Sequence, residues 1–349
     1  MRRGLMGWNE TDLPLSVLRQ RLSRLQAALK GAGLGGLIVY TNIARPAAAT
    51  FLTGFTPYWS EGLLLIPAAG DPVFATALSK RVSEWIRSVM PIGSIENTPQ
   101  PAAAIRRKLA EGNVGRAGVL ELDLLPAAQA AALAGDNNVI ALEDATDLFR
   151  AVRLRVDETE LNLVRRADAL ARDCLATIEL TGDARRMAAG IEAQARLAGA
   201  EEVLVTVNPD LGRSKAFLRC DHLDGLGAQF AIRLSLSLKG AWLRRAIAFA
   251  GAPGEETAFT AADATLQSAL ASGSTTAALN ALQNDFPGKI TAWTVEASVG
   301  SYPLETVACS GGNPTFSGIL PISVVSVEAE VGGARWYGAG PVIGEASPS

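Results

Sequence analysis

Histidine is almost missing from this chain of 349 residues: His222 is the only one. A site built on several imidazoles is therefore excluded, and any imidazole acid–base chemistry has to run through that single side chain. Cysteine is scarce as well. Cys174, Cys220 and Cys309 are widely spaced, with no C-x-x-C pair and no zinc spacing. Neither a disulfide framework nor a cysteine-ligated metal is expected, and each thiol reads as a small buried hydrophobe. A sparse, odd cysteine count fits a reducing cytoplasm. An excess of charge is also lacking. With 32 basic against 35 acidic residues the net charge is -3, which offers no clustered cations to replace phosphate counterions, so no nucleic-acid partner is expected. No uncharged apolar run reaches the roughly 18 residues that a membrane helix needs, so no membrane partner is expected either. Residues Met1 to Asp12 carry Arg2 and Arg3 but no apolar stretch, and do not read as a secretory signal.

What is present is ample apolar residue, 48% of the chain, enough for two domains with separate cores. Leu18, Leu22, Leu25 and Leu29 recur at steps of three and four, which predicts an amphipathic helix over 15–30, ended by Gly31 and Gly33. Apolar strands are predicted over 36–40, 61–66, 72–76 and 116–122, with helices over 79–88 and 102–110. Helices alternating with apolar strands imply an α/β layer domain. Near residue 150 the texture changes. A long helix is predicted over 157–179, with Asp157 and Glu158 suited to its positive N-terminal end, and a second over 187–198. Strands follow over 202–207, 228–238 and 241–250, then helices over 260–271 and 275–285, then a strand over 322–331. This half reads as α+β, and the boundary falls at about 151–157. The glycines of Gly31-Ala-Gly-Leu-Gly-Gly36 lie between a helix and a strand, the wrong order for a dinucleotide loop, and read as a turn.

Several stretches together resemble one known family. Residues 21–40, RLSRLQAALKGAGLGGLIVY, are similar to the opening helix and strand of the creatinase-type N-terminal domain. Phe51-Leu-Thr-Gly-Phe55 and Trp59-Ser-Glu-Gly-Leu-Leu-Leu-Ile66 resemble its next segment, and Arg153 to Ala167 resembles the linker and first helix of its catalytic domain. The family is the pita-bread group of proline aminopeptidases, prolidases, methionine aminopeptidases and creatinase. The resemblance implies an α/β N-terminal creatinase-type domain on residues 1–152 and an α+β pita-bread catalytic-type domain on 153–349. It also implies a homodimer.

The peptidases of this group hold two metal ions with two Asp, one His and two Glu. In the hairpin from Gly227 to Phe249 the resemblance places the two Asp positions on Arg233 and Arg244. No histidine follows His222, so the ligand His and the catalytic His are both absent. Glu328 matches the first Glu ligand, and the last falls near Tyr337. Guanidinium groups repel divalent cations, so no metal and no other cofactor is expected. Creatinase, the metal-free relative, uses a histidine as its acid–base group. His222, in the polar loop Arg219 to Gly225, is the candidate for that role. Tyr302, in Ser298-Val-Gly-Ser-Tyr-Pro303 where the family carries further histidines, offers a candidate hydroxyl for a ligand.

Without the family, the hairpin is still informative. A two-residue turn at Lys239-Gly240 pairs 238 with 241, 235 with 244 and 233 with 246. Alternation then puts Arg233, Ser235, Ser237, Trp242 and Arg244 on one face. The two arginines become diagonal neighbours about 7–8 Å apart. Three readings stay open. The face is solvated or internally bridged, with Glu328, Glu330 or Glu305 as partner; or the arginines grip an anion; or they form a protein-partner surface. The functional expectations follow. One is a metal-independent or inactive homologue of the Xaa-Pro aminopeptidases and creatinase, binding a small anionic or peptide-like ligand through Arg233, Arg244, Glu328 and Tyr302. Another is a creatinase-like C–N hydrolase acting through His222. The third is a non-catalytic subunit or regulator paired with an active paralogue.

Overall fold

A computed structural model describes residues 8–57, 61–135, 140–180, 182–220, 223 and 225–346. The chain divides into two compact units. One comprises Met1–Arg155 together with Ser298–Pro303, the other Val156–Ala297 and Leu304–Ser349.

The first unit runs α1 (Leu15–Gly31), β1 (Gly36–Thr41), α2 (Ala47–Thr53), β2 (Gly62–Pro67), β3 (Val73–Thr76), α3 (Ser83–Val89), β4 (Ser94–Asn97), α4 (Pro101–Glu111), β5 (Arg116–Val119), α5 (Ala127–Ala134), β6 (Ala141–Asp144) and α6 (Thr146–Arg153). Its six strands form one sheet in the order β4-β3-β2-β1-β5-β6. Pairing is mixed: β1 is antiparallel to β2 and parallel to β5. Leu18, Leu22, Leu25 and Leu29 of α1 join Phe51, Leu52 and Phe149 in a core on one face of the sheet, while Ile105 and Leu109 of α4 pack with Leu63 and Ala117 in the other. The strand interiors are accordingly buried on both faces and read as continuous apolar runs. The segment around Phe51 is the end of α2, closed by Gly54 in the left-handed region at φ 75°.

The second unit runs α7 (Glu158–Ala176), α8 (Ala184–Leu197), β7 (Glu202–Asn208), β8 (Gln229–Leu238), β9 (Ala241–Ala250), α9 (Pro253–Leu270), α10 (Thr275–Asp285), β10 (Lys289–Ala297), β11 (Glu305–Gly311), β12 (Ile322–Val331) and β13 (Ala334–Ile343). Asp157 caps α7 by accepting from the Glu160 amide at 2.9 Å, as its position before an apolar-periodic run requires. The seven strands form one antiparallel sheet in the order β11-β10-β12-β13-β9-β8-β7. The helices cover one face. Leu234 and Leu236 of β8 pack against Ala167, Ala171 and Ile191 of α7 and α8. Val325, Val327 and Trp336 pack against Phe259, Leu266 and Leu279 of α9 and α10. The opposite face of the strands carries the polar residues considered next.

The β8–β9 hairpin has the register expected from its turn: Leu238 pairs with Ala241, Ser235 with Arg244 and Arg233 with Ala246. Lys239 and Gly240 occupy positive φ, 49° and 78°, the conformation that lets a two-residue loop follow the strand twist. No helix among the described residues is long and apolar enough to cross a membrane.

Candidate functional site

The antiparallel register brings one row of residues into line across all seven strands. Thr206 pairs with Arg233, Arg233 with Ala246, Ala246 with Ala339, Ala339 with Ser326, Ser326 with Thr294, and Thr294 with Cys309. Residues directly opposite each other point to the same face of a sheet. This is the face free of helices, because Arg245, the neighbour of Arg244 on β9, points the other way and pairs with Asp168 of α7.

Arg233 is held from two sides. Its Nε donates to Thr206 Oγ1 at 3.1 Å, and its guanidinium carbon lies 4.4 Å from the Phe217 ring centroid. A cation placed over a ring in this way is oriented at little cost. Among the described residues no carboxylate forms an ion pair with it. Burial, and then repulsion from Arg244, pulls its basicity below the ordinary value, while the Tyr337 phenol and Glu296 act the other way. A guanidinium stays charged regardless, so the positive charge persists in a half-buried place.

Arg244 is differently placed. Its Nε donates to Ser235 Oγ at 3.0 Å, and Nη1 makes an ion pair with Glu296 of β10. The internal bridge weighed for the arginine pair therefore exists for one of them, but its partner is Glu296 rather than Glu328, Glu330 or Glu305. Glu328 is engaged by Lys215, from the loop between β7 and β8, at 2.6 Å. It faces Tyr337 across β12 and β13.

These side chains surround a cavity of about 220 Å³ lined by Lys215, Phe217, Arg233, Arg244, Glu296 and Ser326, among others. A smaller one of about 140 Å³ adjoins it, sharing Lys215, Phe217, Glu328 and Tyr337 and reaching Leu211 and Trp336. Ser326 is only 6% exposed, and its hydroxyl has no hydrogen-bond partner among the described residues. A buried hydroxyl left unpaired costs about 1–3 kcal/mol. Lys215, Phe217, Glu296 and Ser326 were not singled out from sequence. For Glu296 the signal was available in the alternation of Trp293 and Val295 against Thr294 and Glu296.

The residues present do not fit a pair of divalent cations. The two positions that resemblance gives to aspartates hold guanidiniums, Tyr337 stands opposite Glu328, and both nearby carboxylates already face a cation of the chain. Among the described residues no group of three or more His, Cys, Asp or Glu is arranged to hold a metal ion.

Three expectations need separate comment. His222 lies outside the described residues. Tyr302 does not line the cavity: it belongs to the first unit, where its hydroxyl accepts from Arg45 Nη1 at 2.8 Å and its ring stacks under the Arg45 guanidinium at 4.5 Å. Cys174 and Cys220 are buried, but Cys309 is exposed on β11, an edge strand with little packed over it.

Two carboxyl groups away from the cavity are strongly perturbed. Burial pushes Glu201 up to about 7, against the pull of Lys239. Burial likewise pushes Asp263 up to about 7, opposed by a 3.2 Å hydrogen bond from Trp336 Nε1.

An α/β domain followed by a helix-backed antiparallel sheet is the architecture of a creatinase-type N-terminal domain joined to a pita-bread-type domain. Residues 21–155 match the model of the Creatinase/Prolidase N-terminal domain. Solved structures extend the likeness to the whole chain. The X-Pro aminopeptidase from Thermotoga maritima superposes with a TM-score of 0.66 at 11% identity, covering 93% of this chain and 97% of that one. The prolidase from Pyrococcus horikoshii gives 0.63 at 14% identity, covering 94% and 96%. The N-terminal domain of FACT complex subunit SPT16 from Cicer arietinum gives 0.59 at 12% identity, covering 95% and 94%. Such identities establish a shared fold. No curated protein matches the sequence.

Proposed function

We propose that this chain is a metal-independent homologue of the Xaa-Pro peptidases and creatinase, whose second unit binds a small anionic or peptide-like ligand in the cavity at Arg233. The observation that carries the reading is a guanidinium oriented by Thr206 and Phe217, half-buried, and without a carboxylate partner. A fixed fork in that state is a ready receptor for a carboxylate, which it grips through two parallel N–H bonds. Arg244, bridged to Glu296, supplies field rather than a free fork. In this reading the protein is a cytoplasmic homodimer without cofactor.

A non-catalytic role, as a subunit or regulator, is a second form of the same reading. The FACT complex subunit among the solved structures is one case of this fold under a name that is not a peptidase's. The creatinase-like alternative requires His222 and stands or falls with that residue.

The test has two parts. Protein purified without chelator and assayed for metals should contain no stoichiometric Mn, Co, Zn or Fe; two ions per chain end the metal-independent reading. A thermal-shift screen with small carboxylates should give hits that Arg233→Gln abolishes. Hits that survive the substitution place the ligand elsewhere. If hydrolysis of a C–N bond is detected, its loss in His222→Ala identifies the creatinase-like form, and its retention rejects that form.

A further inference from the structure

The charges around the cavity do not cancel. Three cations, Lys215, Arg233 and Arg244, stand against two carboxylates, Glu296 and Glu328. Two of the cations are paired, Arg244 with Glu296 and Lys215 with Glu328, so the uncompensated charge is a single positive one and it sits on Arg233. A ligand carrying one negative charge neutralises the site. A dianion overshoots it, and a divalent cation or a free ammonium is repelled.

The shape of the donor set is equally selective. Arg233 Nε is spent on Thr206 and the Tyr337 phenol also bonds the guanidinium, which leaves the remaining Nη donors at the end of the fork. Two parallel donors match the two oxygens of one carboxylate. Two oxygens of a phosphate would fit the same fork, but its second charge overshoots the single uncompensated one.

A second polar point lies further along the same row. Between Arg233 and Ser326 the register inserts only Ala246 and Ala339. Both alanines are buried and neither lines the cavity, whose wall nevertheless includes both Arg233 and Ser326. Three strand steps of about 4.8 Å separate the two backbones, and the arginine side chain occupies part of that span. At the far end waits the Ser326 hydroxyl, nine-tenths buried and without a partner among the described residues. A buried hydroxyl in that state is open to a hydrogen bond from a ligand.

We infer that the ligand is a small monocarboxylate without a free ammonium, gripped by the end of the Arg233 fork and hydrogen-bonded at its other end to Ser326. The inference rests on the anion-binding reading above and narrows it. It sets this cleft apart from one that takes a free dipeptide, because the ammonium of a zwitterion meets the same uncompensated positive charge.

Isothermal titration of the full chain with N-acetylglycine, acetate, glycylglycine, succinate and inorganic phosphate tests it. N-Acetylglycine should bind most tightly of the five. Ser326→Ala should weaken N-acetylglycine about fivefold, the worth of one neutral hydrogen bond, and leave acetate, too short to reach, unchanged. The same variant should melt no lower than the parent, because it removes an unpaired hydroxyl; a purely structural serine would give the opposite. Arg233→Gln should weaken both acids about tenfold or more, and Arg233→Lys should recover part of the loss, since charge returns without the fork. Tighter binding of glycylglycine, succinate or phosphate than of N-acetylglycine, or indifference to Ser326→Ala, overturns this ligand class while anion binding stands. Binding of no probe, or binding indifferent to Arg233→Gln, removes the anion reading and the inference with it.

Discussion

Arg245 and Arg233 sit on opposite faces of one hairpin and have opposite fates. Arg245, on the helix side, is 7% exposed; its Nε and Nη2 both reach Asp168, and Nη1 donates to Gln267 at 2.6 Å. Every edge of that guanidinium is answered from within the fold. Arg233 has a ring under it, a threonine at its elbow and the Tyr337 phenol beside it, but no ion-pair partner among the described residues. The difference teaches where the fold uses arginine as a strut and where it leaves one open. Buried charge is kept only when paired, so an open one at a cavity wall points to a partner supplied from outside.

The comparison can be broken most severely at Asp168. Asp168→Ala leaves Arg245 buried and unpaired, and should cost about 3–5 kcal/mol in urea denaturation. A loss below about 1 kcal/mol would mean that Arg245 is not the strut described. Next in size is the pH dependence of the two raised carboxyls, which shows what burial does to a charge of the other sign even where a donor reaches it. Glu201 and Asp263 hold their protons up to about pH 7 in the folded chain and release them near pH 4 when unfolded. The folded state therefore binds more protons over that interval, and stability falls as pH rises from about 4 to about 7, then levels. Asp263→Asn keeps an acceptor for Trp336, removes the burial penalty, and should raise stability at pH 8 on the order of 2 kcal/mol with a shallower pH profile. Unchanged melting at pH 8 would place that carboxyl in contact with solvent. Smaller still, Arg233→Gln should move the stability of the ligand-free protein by no more than about 1 kcal/mol, in contrast to Asp168→Ala, because no ion pair is broken. Smallest is Lys215→Ala. Its ammonium is 62% exposed on the side chain, so the loss should stay below about 0.5 kcal/mol; a larger effect would make the Lys215–Glu328 pair part of the framework.

Local chemistry made much of this legible in sequence. The hairpin register followed from two turn residues and a period of two. Helix α10 and strands β9 and β12 begin and end where their patterns do. The positions of Arg233 and Arg244 on one face followed from the same alternation. What escaped was non-local. Strand β13 carries Gly338, Gly340 and Pro341, residues depleted in strands, and is a strand because β12 and β9 flank it. With β10 also unread, Glu296 could not be seen as the partner of Arg244, 52 residues away. Tyr302 was drawn toward the arginines by likeness to histidine positions, whereas Arg45 claims its hydroxyl. Ser326 is an ordinary strand serine in sequence; only the row that joins seven strands gives it meaning.

The short Ser298–Pro303 stretch has a consequence for how the polypeptide can be divided. Because these six residues group with Met1–Arg155, the backbone passes between the units three times rather than once. Arg45 and Glu121 form an ion pair that Ser301 completes with its hydroxyl, and the Ala47 amide donates to the Ser301 carbonyl at 2.9 Å. A fragment ending at Arg155 would keep the charges and lose the hydroxyl that answers them. Separate expression of the front half therefore starts with a hole in its polar network, and a peptide carrying Ser298–Pro303 is the natural patch for it.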